Sequence, residues 1–234
     1  SALPDESTAR TSKTCSPAGR SPASWGEEES PKRPPSGAHS NLAPLFEVHM
    51  LHRRPPAQAI AFSRDYLRTH SAAKDVRLNL ARLLTTERRN DEARKEIEAL
   101  AKAHPQNADI ALTAGLLGVQ MSDWVLAEEH LRRALELNAS GADTVRFYLG
   151  QVSEERKQPD EALRWYQSVS GGEEYIPAQG RIAGILAKQG KLAEARSLLQ
   201  SVQPQTIQQR VQLAQAEAAV LRDAGAHKEA FDLL

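Results

Sequence analysis

The residue types from which redox and metal centres are built are scarce in this chain. Its 234 residues include a single cysteine, Cys15, which excludes an internal disulfide and a cysteine cluster for zinc. Thr11-Ser12-Lys13-Thr14 ahead of it are not the small apolar run of a lipoprotein cleavage site, so Cys15 reads as a free thiol. Aromatic residues make up 5% of the chain and hydrophobic residues 40%. Alanine and leucine therefore carry the apolar load, a composition that suits helices and not sandwiches. No apolar run approaches the roughly 20 residues that span a bilayer, and the first thirty residues hold no apolar signal core. The chain as it stands is expected to be soluble, with no direct membrane insertion. The sequence leaves the compartment open: the expectation is cytoplasmic, or periplasmic and envelope-associated where the full-length protein carries an export signal. Lysine plus arginine balance aspartate plus glutamate at 30 each, and the pI is near 7.1. No global field recruits nucleic acid or anionic lipid.

What the chain does have is a period. Residues 143–176 read as two amphipathic helices: Leu149, Gly150 and Ser153 share a face of the first, and Ala162, Tyr166 and Val169 share a face of the second. Lys157-Gln158-Pro159 is the turn between them, with Pro159 suited to a first helical turn and Gly171-Gly172 expected to stop the second helix. The small residue of the second helix recurs as Ala59, Ala93, Ala127, Ala162, Ala195 and Ala230, at steps of 34, 34, 35, 33 and 35 residues. A large apolar residue follows four positions on, as Ile97, Leu131, Tyr166, Leu199 and Leu234, and fails only at Ser63. A small residue in the first helix, Ala81, Gly115, Gly150, Ala183 or Ala218, stands 12 positions before its ruler alanine. These are the places where helices must approach closely. One such hairpin cannot bury its own apolar faces, so it needs neighbours stacked on both sides.

A 34-residue period with this small and large alternation resembles the tetratricopeptide repeat, over about three quarters of the chain. The family's tryptophan is absent throughout, and its closing proline survives only as Pro105. The resemblance implies an all-α fold, a right-handed superhelical solenoid of antiparallel helix pairs whose concave face is lined by the first helices. The run from Arg146 to Arg196 looks more narrowly like the middle of long proteobacterial tetratricopeptide proteins, several of them of envelope or lipoprotein type. On that resemblance the chain is an internal piece of a longer one. It would start on a lone second helix at 56–70, continue through repeats at about 74–107, 108–142, 143–175 and 176–210, and end in a partial unit at 211–234.

Residues 1–49 are different material. Prolines scattered among serines, glycines and charges cannot bury enough to offset ordering entropy, so this stretch is expected to be disordered, and the solenoid to occupy 50–234. Around Leu45, Phe46, Val48 and Met50 a short apolar patch is placed to cap the first helix.

Against this scaffold no catalytic chemistry emerges. The seven histidines show no metal-ligand spacing, and His130 with Glu128 and Glu129 is expected on one exposed, solvated turn. Glu154-Glu155-Arg156-Lys157 is read as a solvated rim, and Trp124 and Trp165 as packing between repeats. The stretch from Gly184 to Lys191 has one residue too many for a phosphate loop and lies across a helix turn. No cofactor, no metal and no catalytic residue is expected. Function then rests on binding, and the resemblance carries ligand-facing roles onto Arg82, Leu116, Gln120, Phe147, Gln151, Glu154 and Lys188. Thr85 falls on the same face, and Gly180 and Gly184 leave room for a bulky ligand element. The two-lysine, two-asparagine clamp that some family members use for a terminal carboxylate is missing from these positions. The expected function is a non-catalytic scaffold that binds a peptide or helix of a partner protein. The alternative is a regulatory or substrate-holding domain of a larger enzyme.

Overall fold

The structure, a computed structural model, describes residues 55–233, and these form helices joined by short turns, with no strand among them. The expectations for residues 1–49, for the Leu45 to Met50 patch, for Cys15 and for Leu234 lie outside the described residues. The helices are α1 (Pro56–Thr69), α2 (Lys74–Thr86), α3 (Asn90–Ala103), α4 (Ala108–Gln120), α5 (Trp124–Glu136), α6 (Ala142–Glu155), α7 (Pro159–Gln167), α8 (Tyr175–Lys188), α9 (Leu192–Ser201), α10 (Ile207–Asp223) and α11 (His227–Asp232). From α2 onward they pack as consecutive antiparallel pairs, and α1 lies against α2.

Each even-numbered helix from α2 to α10 ends in the same hydrogen-bonded turn. Arg88, Ser122, Lys157, Gly190 and Gly225 all adopt positive φ, between 57 and 82°. The N–H of each bonds the carbonyl three residues back, and the next N–H bonds the carbonyl five back, as in Lys157 to Glu154 at 2.9 Å and Gln158 to Ser153 at 2.9 Å. This closure satisfies carbonyls that the helix end would otherwise strand, and it turns the chain into the second helix of each pair. Glycine takes this conformation without steric cost at Gly190 and Gly225, whereas Arg88, Ser122 and Lys157 hold it against their own Cβ.

Side-chain caps mark several starts. Asn107 accepts from the N–H of Ile110 at 3.0 Å, Asp123 from that of Leu126 at 3.1 Å and Thr206 from that of Gln209 at 3.1 Å. The Thr206 cap lets α10 begin at Ile207, inside the span that periodicity assigns to the preceding unit. The second helix α7 stops at Gln167, ahead of Gly171-Gly172, and Gly172, at φ 75°, turns the connecting loop instead.

The ruler residues form the core. Ala59, Ala93, Ala127, Ala162 and Ala195 are fully buried, as are Leu131 and Tyr166. Ser63 is buried too, with its hydroxyl donating to the carbonyl of Ala59 at 2.8 Å. Three first-helix glycines are close-packed: a methyl at Gly150 would stand 2.5 Å from Cε1 of Tyr166, one at Gly115 2.6 Å from Cγ of Leu131, and one at Gly118 2.7 Å from the backbone nitrogen of Ala127. Trp124 and Trp165 both pack partly buried against the central cluster, and the guanidinium of Arg132 lies 5.4 Å from the Trp165 ring centroid. Ion pairs step from one second helix to the next repeat: Arg64 to Glu92, Arg94 to Asp123 at 2.6 Å, Arg132 to Glu161 at 2.7 Å and Arg196 to Glu229 at 3.0 Å. Exposed pairs of this kind contribute little each.

Candidate functional site

A groove of about 420 Å³ opens between the first helices α6, α8 and α10. Its α6 wall carries Phe147 and Glu154, two turns apart on one helix face. Phe147 is half-buried, with its ring 5.6 Å from the rings of both Tyr148 and Tyr166, so part of it packs into the core and part faces the groove. Glu154 is not the solvated rim residue expected from its charged neighbours. Its side chain is 18% exposed and stands 3.6 Å from Arg181, and it accepts the hydroxyl of buried Tyr166 at 2.7 Å. Burial first, and then this carboxylate, push the Tyr166 phenol far above its ordinary pKa. The hydroxyl therefore stays protonated and holds Glu154 in place on the α6 wall.

The α8 wall sets two glycines among larger side chains. Gly180 and Gly184 face the groove beside Pro177, Arg181 and Lys188. A methyl at Gly180 would stand 3.3 Å from Cβ of Ala216, and one at Gly184 would meet nothing within 4 Å. The α10 wall adds Gln212, Gln215, Ala216, Ala219 and Asp223.

Of the residues singled out from the sequence, the groove brings together Phe147, Glu154 and Lys188, with Gly180 and Gly184 between them. Arg82 on α2, Leu116 and Gln120 on α4, and Gln151 on α6 do not line it. Thr85 is buried and spends its hydroxyl on the carbonyl of Ala81 at 2.9 Å, so it does not face a ligand. None of the residues expected to face a ligand falls on the α10 wall, although the sequence carries a signal for it. Adding the last 35-residue step to Gly180, Gly184 and Lys188 lands on Gln215, Ala219 and Asp223.

A second groove, of about 560 Å³, lies between α3 and α5 and is walled by His130. The structure corrects the expectation of a solvated turn there. His130 is buried, and Glu128 is drawn into ion pairs with Arg132 at 2.9 Å and with Arg156, while of the three only Glu129 is exposed. Burial holds the imidazole below its ordinary pKa, helped by Arg94 and opposed by Glu129 and Glu98. Arg133 braces the rim by donating to the Pro105 carbonyl at 3.1 and 3.3 Å. Among the described residues no cluster of three or more His, Cys, Asp or Glu side chains is placed to hold a metal ion, and no helix is long and apolar enough to cross a membrane.

The comparisons with known proteins agree with this architecture. Family models described as tetratricopeptide repeat match residues 53–116 and 112–171. A TPR repeat-containing protein of Pseudomonas aeruginosa is 30% identical over 92 residues, which is 39% of this chain and 16% of that protein. The chain thus matches only a small part of that relative's length. Among solved structures, MamA superposes with a TM-score of 0.58 at 16% identity, covering 74% of this chain and 97% of its own. YrrB, described as a TPR protein with an unusual peptide-binding site, gives 0.51 at 19% identity over 73% and 88%. PilF of Pseudomonas aeruginosa gives 0.53 at 18% identity over 80% and 86%. At these identities the structures speak to fold alone, and the repeat period, the stacked helix pairs and the two matched family models together carry the assignment: the chain belongs to the tetratricopeptide repeat family.

Proposed function

We propose that this protein is a non-catalytic interaction scaffold whose groove between α6, α8 and α10 receives a segment of a partner protein. The fold is one that serves protein–protein interaction. The observation that carries the specific reading is Gly184. A glycine in a helix interior costs roughly 1 kcal/mol relative to alanine. Close packing explains that cost at Gly115, Gly118 and Gly150, where a methyl would come within 3 Å of a neighbour, but Gly184 faces open space. Close approach of a ligand accounts for it, with Phe147 opposite as the anchoring surface. YrrB, of similar fold, is described as having a peptide-binding site, which favours the same use.

The test is a display library of random peptides selected on the wild-type protein. Selected peptides should lose more than about tenfold in affinity, or 1.4 kcal/mol, on Phe147→Ala, and should be excluded by Gly184→Trp. Peptides that bind Gly184→Trp as well as wild type would remove the groove from consideration. An unfolding midpoint that falls with Phe147→Ala while affinity stays unchanged would return that residue to the core.

A further inference from the structure

We propose that the groove between the second helices α3 and α5 takes up an arginine side chain of a partner protein, with the imidazole of His130 and the carboxylate of Glu129 as its acceptors. This site goes beyond the reading above and shares no lining residue with the groove of the first helices. The observation that carries it is His130. The residue is 7% exposed and lines the groove, yet neither ring nitrogen bonds another described group. Among the described residues no buried side-chain nitrogen or oxygen is sealed off without a partner, so the ring nitrogens open onto the groove. Polar groups this far from solvent are normally hydrogen-bonded, and the packing of the solenoid itself leaves this one without a partner.

Charge selects the ligand. The charged groups that act on the imidazole are Glu129, Glu98 and Arg94. Glu98 and Arg94 pair with each other at 2.8 Å, and Arg94 also reaches Asp123 at 2.6 Å. Glu129 lines the groove and pairs with no described cation. Arg133 is engaged by Glu136 at 2.8 Å and by the Pro105 carbonyl. Lys102 lines the groove unpaired, but it is not among the charges that act on the imidazole, so the unbalanced charge beside His130 is negative. A cation balances it, whereas an anion would be repelled. Burial keeps the imidazole neutral at neutral pH, which leaves one ring nitrogen as an acceptor. A guanidinium brings five N–H donors and no acceptor, so it can serve this nitrogen and the Glu129 carboxylate together. It is also more weakly hydrated than an ammonium, and so loses less on entering a groove lined in part by Ile110 and Leu126.

The experiment follows the imidazole Cε1–H signals of the full chain by NMR, with that of His130 identified by its loss in His130→Gln. The probe is the blocked tripeptide Ac-Ala-Arg-Ala-amide, added at millimolar concentrations. The His130 signal should shift saturably, and its titration midpoint should move to lower pH, because an adjacent cation disfavours the imidazolium. Glu129→Gln changes an exposed side chain, and its fold is checked by circular dichroism. It should weaken binding at least about threefold, and Ac-Ala-Lys-Ala-amide should bind wild type more weakly than the arginine peptide does. No saturable shift, equal affinity in Glu129→Gln, a midpoint that rises, or a lysine peptide that binds as tightly overturns the proposal. Agmatine that shifts the signal where the arginine peptide does not would put a small guanidinium compound in the groove and overturn the partner-protein reading as well. None of these results bears on the groove between α6, α8 and α10.

Discussion

Replacing glycine by alanine at three positions in the first helices should give opposite signs for one chemical change. On propensity alone each substitution gains about 1 kcal/mol, since each site is inside a helix. At Gly184 nothing stands within 4 Å of the new methyl, so the whole gain should appear. At Gly150 the methyl would arrive 2.5 Å from the Tyr166 ring, which is fully buried and pinned through its hydroxyl to Glu154. At Gly118 it would meet the backbone of Ala127, with nitrogen at 2.7 Å and Cα at 2.9 Å, so α4 and α5 must separate. Overpacking of this kind typically costs about 1–3 kcal/mol beyond any local gain, and these contacts fall at its upper end. Gly118→Ala and Gly150→Ala should therefore lose about 1–2 kcal/mol net, and Gly184→Ala should gain about 1. At roughly 2–4 °C per kcal/mol for a chain of this size, the variants should spread over about 4–12 °C in Tm. Thermal and urea unfolding followed by helical circular dichroism measure this directly. If Gly184→Ala proves as destabilising as Gly118→Ala, the close contacts described between these helices are wrong.

Three further outcomes follow from the same structure. Lys157→Gly should stabilise by about 0.5–1 kcal/mol, because Lys157 holds φ at 61° where glycine is unstrained, and a lower urea midpoint would contradict the closing turn. Ala162→Leu should cost about 1–3 kcal/mol by overpacking a fully buried site, whereas exposed Glu155→Ala should change stability by less than about 0.5; equal effects would mean the register is misplaced. His130 has a folded pKa depressed below its ordinary value near 6.5, so between the two values the unfolded chain binds more protons and stability must fall as pH drops below about 6.5. His130→Gln should flatten that acid-side slope in a series of urea melts, and an unchanged slope would place the titration elsewhere.

Much of this protein is legible in its sequence because its strongest constraint is periodic and local. Ala93, Ala127 and Ala162 announce the repeat, and Gly190 and Gly225 announce the closing turns, because a helix stripe and a left-handed residue are set within a few positions along the chain. What the tertiary structure decided is how residues on different helices meet. Gly118 and Gly184 are both glycines inside first helices, yet one abuts the backbone of Ala127 and the other faces open space. Glu154 reads as one member of a charge run, yet the hydroxyl of Tyr166, twelve residues on, fixes it on the groove wall. His130 reads as part of a solvated turn, yet packing between α3 and α5 buries it. The α10 wall belongs to the groove only because α10 lies close along α8. In each case the side chain's environment is supplied by a helix outside its own local stretch, and no local pattern encodes the angle and separation at which that helix arrives.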